Sequence, residues 1–516
     1  MNMQRAGRRE WIGLAVLILP TLLLSIDVTV LHLAVPALSE ELRPTGAQLL
    51  WINDIYGFLI AGFLITMGNI GDRIGRRKLL LIGAAAFAVA STLAAYAPSA
   101  DVLIAARALL GVAGATLMPS TLALIRNMFH DPAQRTTAIS LWMVGFTGGM
   151  VIGPLVGGVL LENFWWGSVF LLGVPVMAVL LVTGPLLLPE YRAPATGRVD
   201  LVSVVLSVVA ALTTVYGVKE LAAEGPGTVP LLAVLAGLGL ALAFVRRQRT
   251  IPEPLLDLKL FAERRFSGSL STLMLVILTG PGVGLLVGQY MQLVLGLSPL
   301  EAGLWSLPSV VAVITGFVVS PMLARRIRPG YLAVGGLVLA AAGILLLTVG
   351  EPGLGLVVAG QTAYFLGGSP LLVLGTDLVI GSAPPERSGS AAALSETAQE
   401  FGGAVGLAVF GSIAAAVYRA GLDVPEGVSA SAAEAAGDTL GGAVAVAVEQ
   451  PAPIAAALLD SARAAFTGGL AAVAVASAVV LLVAAALAAT VLRQVPPSGS
   501  APADAPAERE PVPLGE

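Results

Sequence analysis

The stretch Gly68-Asn-Ile-Gly71-Asp72-Arg73-Ile74-Gly75-Arg76-Arg77-Lys78 sits between two long apolar runs and gathers three glycines, one carboxylate and four basic side chains into eleven residues. Glycine permits a tight turn and lets helices approach closely. Asp72 is placed to accept hydrogen bonds from arginines or from a helix N-terminus. Four basic residues alone would describe any inner loop of a membrane protein. Gly68, Gly71 and Gly75 with Asp72, Arg73 and Arg76 at fixed offsets describe something narrower than a solvated charge cluster.

The composition fits that setting. Of 516 residues 57% are hydrophobic and 12% charged, whereas a soluble domain carries about 25% charged residues, so a water-soluble globular fold is excluded. A net charge of −4, from 28 basic and 32 acidic side chains, offers no phosphate-binding surface for nucleic acid. The chain has no cysteine and two histidines, His32 and His130. Thiolate metal sites, iron–sulfur clusters and cysteine nucleophiles are therefore excluded, and neither a metal nor a cofactor is expected. No lysine lies in a Walker A loop, which argues against ATP as the energy source.

A bilayer core about 30 Å thick needs roughly 20 apolar residues per helix. Runs of that kind occur near 11–38, 49–71, 79–97, 101–125, 138–161, 166–187, 200–218, 229–245, 267–294, 300–323, 331–349, 354–380, 388–417 and 465–492, fourteen in all. They are numbered spans 1–14 below. The first is too long for a signal peptide and carries Asp27 in its middle, so it reads as a span. With the N-terminus inside, 23 of the 28 Lys and Arg fall in inner segments and four in outer loops, which the positive-inside rule reads as both termini in the cytoplasm. Residues 1–10 are then a cytoplasmic N-terminus, and 11–187 and 267–493 two six-helix halves. Residues 188–246 hold two inserted spans, and 247–266 read as an amphipathic cytoplasmic linker lying on the membrane surface. A long outer loop with short helices is expected at 418–464, and a disordered cytoplasmic tail at 494–516.

Sliding the chain by 253 residues brings the two halves into register. Gly149, Gly153 and Gly158 fall on Gly402, Gly406 and Gly411, Gly83 on Gly336 and Gly114 on Gly367. Both halves begin inside, so the repeat is parallel about an axis along the membrane normal, and a translocation path between the halves is expected. Gly145, Gly149 and Gly153 are four apart and form a smooth stripe for close backbone approach, expected between the halves. Pro154 removes a backbone bond and can kink its helix.

Six charged residues fall well within the spans: Asp27, Asp54, Arg107, Asp377, Glu396 and Glu400. A charge at the bilayer centre costs at least about 2.5–3.5 kcal/mol on insertion scales, so each is expected to face a partner or a wet cavity. Glu396 and Glu400 are four apart, share a helix face and enter span 13 by about 12 and 18 Å at 1.5 Å per residue. Asp27 is also near the middle of its span. Desolvation, and mutual repulsion in the glutamate pair, suit these carboxylates to bind a proton in one access state and give it up in another. Asp54 is either an outer-mouth cation site or an interfacial charge, and Asp377 either a cytoplasmic gate contact or a solvated helix end. Arg107 is either a partner for backbone carbonyls or part of a proton switch. Most aromatic residues fit interfacial belts; Tyr56 and Tyr290 are candidates for a substrate cavity.

The stretch 68–78 resembles the cytoplasmic loop signature of the major facilitator superfamily, GxLaDrxGrkxxl. Ala106-Arg107-Ala-Leu-Leu-Gly111-Val-Ala-Gly114-Ala115 resembles its fourth-span motif, and Gly145-Phe-Thr-Gly148-Gly149-Met-Val-Ile-Gly153-Pro154-Leu-Val-Gly157-Gly158 its fifth-span antiporter motif. Ile26-Asp27-Val28-Thr29-Val30-Leu31-His32-Leu33-Ala34-Val35-Pro36 is close to the first span of the fourteen-spanner drug:proton antiporter family. Trp51-Ile-Asn-Asp54-Ile-Tyr56, Asn163-Phe-Trp-Trp166-Gly-Ser-Val-Phe170 and Ser395-Glu396-Thr-Ala-Gln-Glu400-Phe401-Gly402 look most like its exporters of quaternary ammonium compounds and methyl viologen. Two departures are His32, where many relatives have asparagine, and the lack of any acid between Glu301 and Glu351, although some relatives have one in span 10.

The resemblance covers essentially the whole chain. It implies an all-α integral membrane protein with a major facilitator fold of 14 helices arranged 6+2+6. It also implies conformational roles for Gly68, Gly71, Asp72, Arg73, Gly75, Arg76, Gly145, Gly149, Gly153, Pro154, Gly157 and Gly158, and a place for Arg107 near the proton path. The implied activity is proton-coupled export of lipophilic, often cationic drugs by alternating access. The expected partners are a small-molecule drug, protons and the lipid bilayer, for a monomer in the plasma (inner) membrane that transports and is not an enzyme. A dedicated exporter of one metabolite or self-made antibiotic would use the same machinery. A receptor or scaffold without flux is the reading from another class, and the antiporter stripe argues against it.

Overall fold

Inside a bilayer an apolar run satisfies its backbone N–H and C=O groups internally only as a helix or a closed barrel, and here the runs are helices. The computed structural model describes residues 6–44, 46–192, 200–223, 227–251, 254–256, 258–384, 387–493 and 495–497. Among the described residues fourteen helices are long and apolar enough to cross a membrane. Spans 1–5 are Arg8–Leu42, Gly46–Ile74, Arg76–Ala95, Ala100–Met128 and Pro132–Asn163. Span 6 is built of Ser168–Leu171 and Gly173–Leu187, and spans 7 and 8 are Leu201–Ala223 and Thr228–Gln248. Spans 9–14 are Arg264–Gln289, Pro299–Ala324, Pro329–Leu345, Leu354–Ser382, Ser388–Gly421 and Ala452–Val491, span 9 ending in a π-helical turn over Tyr290–Val294.

Spans 1–6 enclose one apolar core and spans 9–14 a second. Val313, Phe317, Val373, Ile380 and Ala392 belong to the second half by sequence but pack into the first core. They lie in the parts of spans 10, 12 and 13 nearer the basic loops, so the halves meet closely at that end, called the basic end below. Spans 7 and 8 pair as a hairpin, with Gly217 against the backbone of Pro230 and Val234. Span 7 packs on spans 2 and 13.

The repeat is visible in the packing. A Cβ at Gly149 would run into Ser25 and the Leu22 carbonyl of span 1, and one at Gly402 would lie 3.0 Å from the Met274 carbonyl of span 9. Gly153 and Gly406 repeat the approach one turn on, against Thr29 and Leu278. Gly83 abuts Thr116 of span 4 as Gly336 abuts the Gly367 carbonyl of span 12.

These contacts correct one expectation. The stripe Gly145, Gly149, Gly153 and Gly157 faces Ile18, Ser25, Thr29 and Val30 of span 1, so it packs two helices of one half and does not lie between the halves. Small residues bring backbones close wherever the facing helix is, and the sequence does not say which helix that is. Gly158 meets nothing within 4 Å, and Pro154 is exposed.

The extent of one segment also changes. Span 14 begins at Ala452, well inside the stretch read as an outer loop, and the true connection holds the short helices Ala430–Asp438 and Leu440–Val448. An Ala-rich segment keeps its helix past the apolar limit because alanine favours helix whether or not lipid surrounds it. The linker packs its leucines against protein. Its Leu255, Leu256 and Leu260 are buried against Phe244, Phe266, Leu270, Leu273, Val379, Ala383, Ala391 and Leu394, because leucines that fit a protein groove are shielded there as completely as in lipid. Residues 1–5 of the N-terminal segment and 498–516 of the tail lie outside the described residues.

Candidate functional site

Asp27 and Arg107 are joined. Arg107 Nη1 donates to Asp27 Oδ2 at 2.6 Å, and its Nε donates to the Ile52 carbonyl at 3.2 Å. The guanidinium stacks over the Tyr56 ring, 4.5 Å from its centroid, with Phe170 at 5.9 Å. Arg107 thus holds a backbone carbonyl and a carboxylate together. The Gly145–Gly157 stripe seats span 1 and so fixes Asp27. Gly111 lets span 4 approach span 2, since a Cβ there would lie 2.6 Å from the Tyr56 carbonyl. Arg107 is 1% exposed, a burial that only pairing makes tolerable.

Span 13 completes the constellation. Glu396 is 6% exposed, while Glu400, one turn on, is exposed. Tyr56 feels the charges of Asp27 and Arg107 and, more weakly, that of Glu400 on span 13. The Tyr56 hydroxyl is buried with no hydrogen-bond partner among the described residues. The arrangement can hold a proton, a cation or both in a setting where charge is costly.

At the basic end two carboxylates hold the halves together. Asp72 of span 2 accepts from the backbone N–H groups of Gly389 and Ser390 at 3.1 and 3.0 Å and from Ser390 Oγ at 3.0 Å. These are otherwise unsatisfied donors at the start of span 13, where the helix dipole also favours an anion. Arg76 grips the same carboxylate through Nε and Nη2 at 2.9 and 2.8 Å and lies over the Tyr191 ring. Gly68 makes the contact possible, since a Cβ there would lie 2.7 Å from the Gly389 carbonyl. Gly75 has φ +111° and Glu190 packed against it, a conformation that demands glycine. Gly71 sits beside Leu79, and the Arg73 carbonyl accepts from Arg192.

The second tie is Asp377 of span 12, which accepts from Arg135 Nε at 2.5 Å and from Thr136 Oγ1 at 2.7 Å in span 5. Arg126 Nη2 donates to the Ala383 carbonyl at 2.6 Å, and Ser140 Oγ to the Phe317 carbonyl. Arg126 and Arg135 read in the sequence only as inner-loop charges. The overlooked signal is Asp131-Pro132, an N-cap followed by proline at the first helical position: Asp131 accepts from Gln134 N at 2.9 Å, so span 5 begins before Arg135 and carries it into the interface.

Tyr290 does not join the constellation. It is 1% exposed in the second core, with its hydroxyl donating to the Pro352 carbonyl at 3.1 Å, and acts as a pin at the far end of span 9. Asp54 is half-buried, two residues from Tyr56 and so on the other side of span 2. The His32 side chain lies outside the described residues.

Residues 17–407 match the model of the Major Facilitator Superfamily. The chain is 46% identical over 493 residues to the multidrug efflux pump LfrA of Mycolicibacterium smegmatis, covering 95% of this chain and 98% of that one. It is 35% identical over 464 residues to the methyl viologen resistance protein SmvA of Salmonella typhimurium, covering 89% and 93%. The human organic anion transporter MFSD10 (TETRAN) shares the fold with a TM-score of 0.62 at 15% identity, over 93% of this chain and 99% of that chain. The loop signature at 68–78, the paired six-helix halves and the matched sequence agree: the chain belongs to the major facilitator superfamily, a superfamily of membrane transporters.

Proposed function

We propose that this protein is a proton-coupled antiporter that exports lipophilic, often cationic drugs across the plasma membrane by alternating access. The observation that carries the reading is the buried Asp27–Arg107 pair stacked on Tyr56 within the membrane-spanning helices. Carboxylates at that depth exchange a proton against a cation, because the low-dielectric setting favours only one positive charge at a time. The similarity to a multidrug efflux pump and a methyl viologen resistance protein supports drugs as the cargo.

The positive-inside distribution supports a basic end, and both termini, on the cytoplasmic side. The ties at Asp72 and Asp377 then belong to a state closed towards the cytoplasm. A proton arriving from outside neutralises a carboxylate, weakens its hold on the cation and on Arg107, and frees the drug; loss of the proton to the cytoplasm resets the site. A membrane potential adds about 2.3 kcal/mol per charge per 100 mV. The protein is read as a monomer, since each chain carries both halves.

The test is drug-dependent proton movement in proteoliposomes, alongside a drug-susceptibility panel in a pump-deleted host with and without an uncoupler. Wild-type protein is expected to move protons only when drug is present. Unchanged flux in Asp27→Asn, Glu396→Gln and Glu400→Gln alike would refute the mechanism, and resistance to a single compound would point to a dedicated exporter.

A further inference from the structure

Spans 7 and 8 have no counterpart in the repeat, and the core of neither half needs them. Span 7 lies against spans 2 and 13, the two helices joined at Asp72. The basic ends of the pair are locked by Arg247, which donates to both Asp200 oxygens at 2.6 and 2.9 Å, with Ser203 Oγ donating to the same carboxylate at 2.6 Å.

From there a buried chain of hydrogen bonds leads to the joint between the halves. Gln248, at the end of span 8, is 4% exposed. Its Nε2 donates to Ser203 Oγ at 2.7 Å, and its Oε1 accepts from Leu255 N at 2.7 Å and Leu256 N at 3.2 Å. The Leu255 carbonyl in turn accepts from Asn69 Nδ2 of span 2 at 3.1 Å. Asn69 is 2% exposed and one turn before Asp72, on the same helix face. The leucine side chains of this segment reach the other half, where they pack with Leu273 of span 9, Val379 and Ala383 of span 12 and Ala391 and Leu394 of span 13.

We infer that spans 7 and 8 with residues 254–256 and 258–262 form a clamp on the basic-end joint, and that Gln248 is its positioning residue. The surface it grips consists of Asn69 from one half and a leucine-lined groove from the other, so that surface exists complete only while the halves are closed there. The clamp adds stability to the closed state alone and thereby sets how often the basic end opens. Gln248 folds the chain after span 8 back so that the Leu255 carbonyl meets Asn69. The identification of opening with transport rests on the proposed function, but the clamp itself does not.

The chain has no cysteine, so a single Ala393→Cys reporter on span 13, a buried position beside Gly68, reads opening directly through the rate of labelling by an impermeant maleimide in inside-out vesicles. Adding Gln248→Ala is expected to raise that rate about fivefold, the equivalent of roughly 1 kcal/mol for a buried hydrogen bond lost, and Leu255→Ala, which removes a buried apolar side chain, at least as much. A Leu188→Cys reporter, buried in the first core at the same end of the bundle but away from the joint, should label at an unchanged rate. Equal labelling at position 393 with and without the clamp substitutions would overturn the inference, and so would an equal rise at both reporters, which marks general loosening. As a second measurement independent of those variants' folding, Asn69→Cys with Leu255→Cys joined by a bismaleimide should slow labelling at a third introduced reporter, Ser388→Cys. A cross-linked protein that still labels there at the uncross-linked rate would refute the clamp. Labelling needs no substrate, so these results stand apart from whether drug-dependent proton flux is found.

Discussion

Arg135 of span 5 and Asp377 of span 12 form an ion pair at 2.5 Å across the two halves, at the same end of the bundle where Asp72 caps span 13. The two ties use different physics. Asp72 satisfies backbone donors at a helix start, whereas Asp377 neutralises a guanidinium. Removing one partner of a buried pair costs about 3–5 kcal/mol because the other is left uncompensated. Asp377→Asn should therefore weaken closure, with export falling and Arg135→Leu in the same background giving partial recovery of thermal stability. A stability of Asp377→Asn equal to wild type in a detergent melting scan would show the pair to be inert.

Arg107→Ala leaves Asp27 buried without its cation and should lower stability by about 3–5 kcal/mol. Asp27→Asn with Arg107→Leu should fold better than Arg107→Ala alone, yet neither should export drug. The check is melting temperature set beside proteoliposome flux, and recovery of transport by the neutral pair would contradict a role in coupling.

Glu396→Gln and Glu400→Gln should each reduce drug-dependent proton flux at least about tenfold, equivalent to roughly 1.4 kcal/mol of barrier. Tyr290→Phe, which removes a pin remote from the constellation, should lower stability and leave the proton-to-drug ratio unchanged. A changed ratio in Tyr290→Phe would return that residue to the cavity.

Gly149→Ala forces a methyl group onto Ser25 and the Leu22 carbonyl, and overpacking of this kind costs about 1–3 kcal/mol. Gly158→Ala meets open space and should stay within about 0.5 kcal/mol of wild type. Equal melting temperatures for the two would argue against the span 1–span 5 packing.

Asp200, at the mouth of the inserted pair, is held below its usual carboxylate range by hydrogen bonds from Arg247 and then Ser203. A lowered value in the folded state means the stabilisation is full above the unfolded value, near 3.9, and disappears as pH falls through the folded one. The stability difference between wild type and Asp200→Asn should thus be constant from neutral pH down to about 5 and shrink only in stronger acid. A difference that vanished between pH 7 and 5 would mean another group is responsible.

Much of this was legible in order along the chain. Each apolar run of bilayer length became a helix, because lipid leaves the backbone no other partner, and the run at 68–78 stays helical on both sides of a break at Gly75, whose positive φ only glycine adopts cheaply. The carboxylates Asp27 and Glu396 stood out because charge is rare in such runs. The sequence was silent on which surfaces meet. Periodicity marks a glycine stripe but not the helix it faces, so Gly149 was assigned to the joint between halves and turned out to seat span 1. It marks a basic residue but not its depth, so Arg135 looked like loop charge until the N-cap at Asp131 placed it within a helix.

By itself, then, the sequence determined the membrane setting, the fourteen helices, their repeat and a short set of buried charges, since each follows from the cost of placing polar groups in hydrocarbon. Only the tertiary structure decided that Arg107 holds Asp27, that Asp72 and Asp377 tie the halves at the same end, and that Leu255, Leu256 and Leu260 pack across it. Those pairings join residues from 80 to more than 300 positions apart, and such contacts depend on how helices are arranged against one another, which no local pattern of spacing encodes.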